Sequence, residues 1–581
     1  MTVTSPQIIL SMGDAVLSAA SSSDTHTRAD IDDLVNGTAS RILKYATFEP
    51  DQWLLDGTYK IAPDPASIGF VSDEISLIGS TFTSDPVVTL TLDAAIDIEQ
   101  GITFEFSQVS GDYCTSVKVD YQNAATASVY SKTYSPDGYN YFAEILEASK
   151  PAAAIKYIVI TFYETNTAYR HVKLLDVFVD GVMWDRANIK SATIIEEIDL
   201  SLATIPGNEL RFTLYDPSGG FSIVDPGGIY ASLAENQRVD AYEFVDTDRI
   251  YMGRFYLKDM DSVSENIASF KCVDALSLLE RIEYLGDLFI DTATNVLDTI
   301  MADVSFIDHD IEIDLASISI DGWIPITNIR EALHQLAFAI EGYVTCSRSK
   351  KITIKKADLI DDISVWDYDL SYSDIRKGHK ITQRPLVTGI DIISHGFEEN
   401  QENLTSYSDL VTYVYRNTNI PTGNYVIKHP EYISTYLAYS STSAITVPPT
   451  PSASSANSFT FEVTTSGSIN ILLYRKYTHS KERYFQGATG LPANVSDNIM
   501  IIENTTFINN SNVEDTAQRA LDYAAQRYKA EIGLFASSIS VGDSAKIDTL
   551  SGKELWGVVE KVEIDMVSGF FQKVVAIGEI H

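Results

Sequence analysis

Cysteine is nearly absent from this 581-residue chain. Cys114, Cys272 and Cys346 are the whole complement, far apart and in no CxxC or CxxH spacing. That count excludes a disulfide framework and a cysteine-rich zinc site. Basic residues are scarce beside acidic ones, 42 Lys and Arg against 80 Asp and Glu, for a formal net charge of −38. Phosphate binding needs clustered Lys and Arg, so this balance argues against sequence-specific DNA or RNA recognition. The acidity has two readings: a solvated surface that keeps the chain soluble, or a negatively charged channel that DNA passes without adhering. No apolar run approaches the ~18–20 residues that cross a bilayer. The opening Met1-Thr2-Val3-Thr4-Ser5 has no basic stretch followed by an apolar one, so no secretory signal is visible and synthesis in the cytoplasm is expected.

Catalytic signatures are missing too. The sequence holds no HExxH, GxSxG or GxxxxGK[ST]. His309, within Asp308-His309-Asp310, could ligate a metal, but the segment reads as a hydrophilic loop. Carboxylate pairs of the kind that hydrolyse glycosides carry no information among 80 acidic residues. A reactive thiolate needs an exposed electropositive niche, and Cys272 inside an apolar strand reads as a small buried hydrophobe. No catalytic residue, metal or cofactor is assigned, and an enzyme is not expected.

What is abundant favours strands. The chain has 32 Tyr and 24 Phe, and hydrophobic residues make up 45% of it. Its length exceeds one core, so three to five domains are expected. Residues 1–40 read as a loosely built N-terminal segment, with Ser18–Asp24 as a linker or loop. Residues 41–183 carry short strands at 102–107, 117–121 and 154–162 with turns between them, the pattern of a β-sandwich, closed by a hinge at 180–182. Residues 184–285 hold strands at 192–201, 209–215, 239–244, 250–257 and 267–273, enough for a small barrel.

An α+β region follows at 286–375. Asp274 caps a helix at 275–282. Val296, Leu297, Ile300 and Met301 share one face of another at 294–303. A third spans 329–341, with Asn328 and Glu331 as a capping box and Gly342 as its C-terminal glycine. A hairpin of 343–346 and 351–355 lies beside it. Residues 376–581 return to β structure: a strand at 387–394, a low-complexity loop at 447–457, an inserted hairpin at about 442–475, and late strands at 545–549, 555–565 and 572–577. Asn512 caps a late helix, 513–529, whose Ala517, Ala520, Leu521 and Ala524 face the final barrel.

One group of aromatic residues suggests ligand contact. Trp53, Tyr59, Tyr139, Tyr141, Tyr163 and Tyr169 could stack on sugar rings at the loop ends of the sandwich, with Arg170 supplying hydrogen bonds; Tyr113 and His171 belong to the same group. The competing reading is that these side chains fill the sandwich core or touch neighbouring subunits.

The segment 184–285 resembles the first barrel of phage tail baseplate hub proteins, the family of contractile-tail hubs and of the hub part of tail-associated lysins. The resemblance is carried in order by Ala192–Asp199, by Ile205-Pro-Gly-Asn-Glu-Leu-Arg-Phe-Thr-Leu214, by Ser218–Phe221 and Asp225-Pro226, by Met252-Gly-Arg-Phe-Tyr-Leu257 and by Phe270–Leu279. Downstream, Asn328–Gly342 with its hairpin is similar to the family's helix-plus-sheet subdomain. Val513–Lys529, Val541-Gly-Asp543 and Met566–Gly569 are similar to its returning barrel. Residues 41–183 resemble a discoidin-like β-sandwich, through Thr47–Gly57 and Tyr169–Val177. Placing that sandwich before the first barrel departs from the hub pattern.

The resemblance implies a mainly β, multidomain chain: a β-sandwich, then two hub-type β-barrels with a helix-plus-sheet region between them. It implies a structural virion protein, not an enzyme. Three copies would close a ring of six barrels that joins the six-fold tail tube to the tail tip and lines a channel for DNA or tape-measure protein. Expected partners are the chain itself as a homotrimer, a distal tail or tail-tube protein, tail-tip or fibre proteins, the tape-measure protein and a host-surface glycan. Expected location is the virion tail tip, after assembly in the host cytoplasm. Two alternatives stay open, a carbohydrate-binding receptor protein and a wall-degrading tail enzyme. The enzyme reading is disfavoured because lysins carry a further C-terminal catalytic domain, for which this sequence leaves no room.

Overall fold

The computed structural model describes residues 4–11, 17–23, 31–36, 45–47, 49–50, 52, 68–98, 101–107, 111–145, 154–179, 181–201, 204–215, 233, 235–245, 248–360, 363–399, 411–428, 436–441, 444–446, 457–474, 477–492, 494–503, 505–535 and 537–581. The chain is mainly β and folds as two compact units, each assembled from separated segments. The first comprises 1–193, 210–272 and 565–570, the second 194–209, 273–564 and 571–581.

In the first unit, two antiparallel sheets share one core. One runs Phe70–Ile75, His171–Val179, Gly101–Phe106, Asn140–Glu144; the other runs Leu17–Ser22, Val87–Ile96, Ile155–Thr165, Cys114–Gln122, Ser128–Tyr134. Alternation places Val117, Val119 and Tyr121 inside from one strand and Ile158, Ile160 and Phe162 from its neighbour. Phe162 meets Phe70 and Phe106 from the facing sheet, ring centroids 6.3 and 6.4 Å away. Full burial of each such side chain contributes about 1.5–3 kcal/mol.

The same unit holds the run of strands Gly181–Trp184, Thr4–Ser11, Arg238–Val245, Asp248–Ser264, Ile267–Val273 and Glu209–Tyr215. Strand Glu209–Tyr215 buries Leu210, Phe212 and Leu214. Phe212 stacks on Phe270 of the adjacent strand at 4.8 Å, and Trp184 packs on both rings. Two expectations are corrected here. The N-terminal segment is not loose: Thr4–Ser11 buries Ile8, Ile9 and Leu10 between two partner strands, and Leu17–Ser22, within the expected linker, is an edge strand of the sandwich. Pro6 is tolerated because only residues 8–11 of its strand pair on the Gly181–Trp184 side. The expected hinge is likewise part of a strand from Gly181 onward.

The second unit begins with short helices. Asp274 accepts the Ser277 amide and caps Ala275–Leu279. Helix Ala293–Met301 buries Val296, Leu297, Ile300 and Met301. In helix Ile329–Ala339, Asn328 accepts the Glu331 amide as expected. The left-handed residue after it is Glu341, with φ of 59°, and not Gly342. Gly342 instead opens strand Gly342–Thr345, where a Cβ would stand 2.8 Å from Ile354 Cγ2 and 2.9 Å from the Lys355 carbonyl. Its glycine serves close strand approach. That strand pairs with Lys351–Lys356, which also pairs in parallel with Asp308–Ile311. The expected hydrophilic loop around His309 is therefore a strand.

The insertion is larger than one hairpin. Ser458–Thr465 pairs with Gly423–Lys428 and Ala444–Thr446, whereas Gly467–Tyr474 pairs with Val411–Ile420 and Tyr436–Ser441. Only Ser466 separates the two strands, and a hairpin needs at least a two-residue turn, so the chain passes from one sheet to the other. The low-complexity loop at 447–456 lies outside the described residues, as do 218–221 and 225–226.

The late helix is Val513–Ala525, shorter than expected, and Tyr528 already belongs to strand Tyr528–Phe535. Arg384 ends the helix by donating to the carbonyls of Tyr523 and Gln526. Asn512 precedes it without a side-chain cap; its side chain accepts the Asn509 amide and donates to the Phe507 carbonyl. The helix packs on strands Gly389–Glu399 and Tyr477–Gly487, while Tyr523 reaches Glu560 on strand Glu554–Asp565. In this unit Glu554–Asp565, Phe571–Ile580, Tyr528–Phe535 and Lys377–Gln383 lie side by side, with Ser544–Asp548 on the other flank of Glu554–Asp565.

Candidate functional site

The aromatic group read as a glycan contact is not gathered into one surface. Trp53 and Tyr59 lie outside the described residues. Tyr139 and Tyr169 are 42% and 41% exposed, and Tyr169 adopts a left-handed φ of 62°. Tyr163 and Tyr141 are half-buried, and Tyr141 packs on the sandwich core and edge-on to Tyr134. Arg170 is buried. Its Nε donates to Asp112 Oδ1 at 3.1 Å and its Nη1 to the Pro50 carbonyl at 2.8 Å, so its hydrogen bonds are spent inside the protein.

Arg170 belongs to a buried ionic cluster that the sequence did not reveal. Lys173 Nζ lies 2.7 Å from Glu49 Oε2 and 3.0 Å from Asp112 Oδ2. Glu49 Oε1 accepts the His171 amide at 2.8 Å, and Thr47 donates to Oε2. Burial alone would raise the Glu49 pKa; Lys173 and these hydrogen bonds outweigh it and hold the carboxyl below its ordinary value. Two cations against two carboxylates leave no free charge, so the cluster joins the 45–50 segment to strand His171–Val179 and presents nothing to a ligand. Its carboxylates lie 58 or more residues from its cations, and no local spacing marks them.

The hub-like motifs of the second unit converge on two further buried clusters. Asp274 accepts the Asn208 amide at 2.6 Å and the Cys346 thiol at 3.2 Å. Asn208 in turn accepts the Glu197 amide and donates to Ser347. The polar turn before the Leu-x-Phe-x-Leu strand is thus tied to the helix start and to the α+β hairpin. Beside it, Arg348 grips Glu196 through two contacts of 3.1 Å and donates to the carbonyls of Ser538 and Ile539.

These contacts bear on the acidic-channel idea. Glu196 is buried and paired with Arg348, Asp199 accepts the amides of Ser201 and Thr204, and Asp240 is held by Arg238 and Arg254. Glu196 and Asp240 are each balanced by arginine, whereas Asp199 is held by uncharged donors. His309 Nε2 meets Asp298 at 2.9 Å, and among the described residues no group of three or more His, Cys, Asp or Glu is placed to hold a metal ion. Burial pushes all three thiols up, with Asp112 adding to the effect on Cys114 and Asp274 on Cys346. Among the described residues no helix is long and apolar enough to cross a membrane.

No protein-family model matches the chain, and no curated protein matches it. Among solved structures it is similar to a tail protein from Neisseria meningitidis MC58, at 9% identity over 68% of this chain and 93% of that one, with a TM-score of 0.41. It is similar to the 43 kDa tail protein of prophage MuSo2 from Shewanella oneidensis, at 10% identity over 68% and 95%, with a TM-score of 0.39. A prophage tail protein from Listeria monocytogenes EGD-e is similar at 7% identity over 68% and 91%, with a TM-score of 0.37.

Proposed function

We propose that this chain is a structural protein of a virus-type tail, a baseplate hub whose three copies close a ring between the tail tube and the tail tip. One observation carries the reading. The segments that resemble hub proteins in sequence order, 192–199, 205–214, 270–279 and the hairpin after helix Ile329–Ala339, are bound to one another by the Asn208–Asp274–Cys346 and Glu196–Arg348 clusters. A chance succession of weak motifs would not share buried polar partners, because each such partner must be satisfied in its final place. The work of such a protein is mechanical, to hold a ring around a passage for DNA or tape-measure protein and to meet a tail-tube protein on one side and tip or fibre proteins on the other. Its place is the virion tail tip.

Measuring the native mass of the purified chain and imaging the particle tests this reading. Three copies around an open centre are expected; six copies, or a particle with no opening, would overturn it. A glycan-contact role for the discoidin-like sandwich would rest on exposed Tyr139 and Tyr169, and a glycan-binding screen with Tyr169→Ala as the comparison decides it.

A further inference from the structure

The sheet formed by Tyr477–Gly487, Gly389–Glu399 and Ile499–Ile502 has two unlike faces. One carries Ile390 and Ile392, both fully buried, and on this side Gln486 bonds Gln518 of helix Val513–Ala525 at 2.9 Å. On the other side the register sets Phe485, Asp391 and Ile501 in one row and Gly487, Gly389 and Ile499 in the next. Phe485 is 57% exposed, Ile501 58% and Ile499 42%. A Cβ on Gly389 would stand 2.7 Å from the Phe485 ring, so the ring lies down on that glycine with its other side in solvent. Arg483 is shared by Asp391 at 3.2 Å and Glu503 at 3.0 Å.

We propose that this face is where one copy of the chain touches the next. The proposal rests on the ring reading above and names the surface that would make it. Two arguments select a second copy as the occupant. Copies carrying a net charge of −38 repel one another over most of their surface, whereas here the cations Lys481 and Arg483 share the face with the carboxylates Asp391 and Glu503 and the exposed centre is apolar. Phe at the middle of a patch with balanced charges around it is also the composition of subunit contacts, where unpaired charge is depleted. Along the edge strand Tyr477–Gly487, Lys481 and Arg483 block strand addition. Association through such a face strengthens with salt, which screens the general repulsion; a basic partner would instead be released by salt.

The test uses the full chain, with light scattering across a concentration series at low and high salt. The variants are Phe485→Ser and Ile501→Lys, and Ile313→Lys, at an 85% exposed position elsewhere in the same unit, is the control. Expected is a wild-type oligomer favoured by salt. Either face variant should raise its dissociation concentration roughly tenfold or more, and the control should match wild type. If Phe485→Ser fails to fold, Ile501→Lys alone decides, since its side chain is already mostly in solvent. An oligomer unchanged in Ile501→Lys overturns the face and leaves the ring standing. A wild-type chain that stays monomeric at every concentration and salt overturns both.

Discussion

Removing the Arg348 side chain strands a buried carboxylate. Glu196 is 1% exposed, and its two oxygens are held only by Arg348 among the described groups, at 3.1 Å each. Burial raises the Glu196 pKa, Arg348 opposes that by charge and hydrogen bonding, and Asp543 adds to the rise, so the net shift is upward even with the arginine in place. In Arg348→Ala the opposing cation is gone, and the carbonyls of Ser538 and Ile539 lose their donors. Breaking a buried pair from one side costs about 3–5 kcal/mol. Proton uptake by Glu196 limits the loss, so the variant should be weakest at alkaline pH and recover part of its stability as pH falls. Urea denaturation of the second unit, followed at pH 5 and pH 8, reads the effect as a shift in midpoint with unchanged slope. The double variant Glu196→Gln, Arg348→Met removes both charges and should be far less damaged than the single one. A loss below about 1 kcal/mol in Arg348→Ala, or a double variant as unstable as the single, would refute this reasoning.

Other substitutions test other parts of the structure. Leu521→Asp places a carboxylate on the buried side of helix Val513–Ala525 and should cost several kcal/mol, on the order of an unpaired buried charge; normal folding of this variant would show the helix face to be free. Glu243 is fully buried, and burial pushes it up to about 9 despite the opposing charge of Arg186 and a hydrogen bond from the Ser5 backbone. A raised carboxyl pKa stabilises the fold at pH below the unfolded value near 4.5, and that stability is lost as pH rises through about 9. Glu243→Gln should therefore flatten the alkaline decline in thermal midpoint, and an unaltered profile would count against it. His395 runs the other way: burial, then His479 and Lys481, depress it to about 4, and its Nδ1 lies 2.8 Å from His479 Nε2. Its contribution is present above pH 6.5 and lost as pH falls toward 4, so the urea midpoint should drop over that window in wild type and less in His395→Leu.

Much of the fold was legible because strand and helix periods are local. Glu209–Tyr215 and Ile267–Val273 have the ends that alternation assigns them, and Asn328 with Glu331 starts its helix where the capping pattern places it. The errors arose where a distant partner decides. Ser18–Ser22 has the composition of a linker, but as an edge strand it needs only one neighbour, and Val87–Ile96 supplies it. Thr4–Ser11 is short and interrupted by Pro6, and its burial depends on strands near 181 and 240. The consecutive strands 458–465 and 467–474 satisfy a hairpin pattern except for the length of the turn. The late helix stops early because Arg384, 139 residues before Tyr523, takes its last carbonyls. Of the candidate site, the exposure of Tyr139 and Tyr169 agrees with a loop-end position, whereas the burial of Arg170 followed from Asp112 and Pro50, which no spacing connects to it.

The central claim is that copies of this chain form a ring. Native mass spectrometry of the assembled particle, joined to symmetry-free averaging of its electron images, tests it most directly. The account predicts three copies of a 64.1 kDa chain around an open channel. A monomer at all accessible concentrations, a six-membered assembly, or a closed particle with no passage would contradict it.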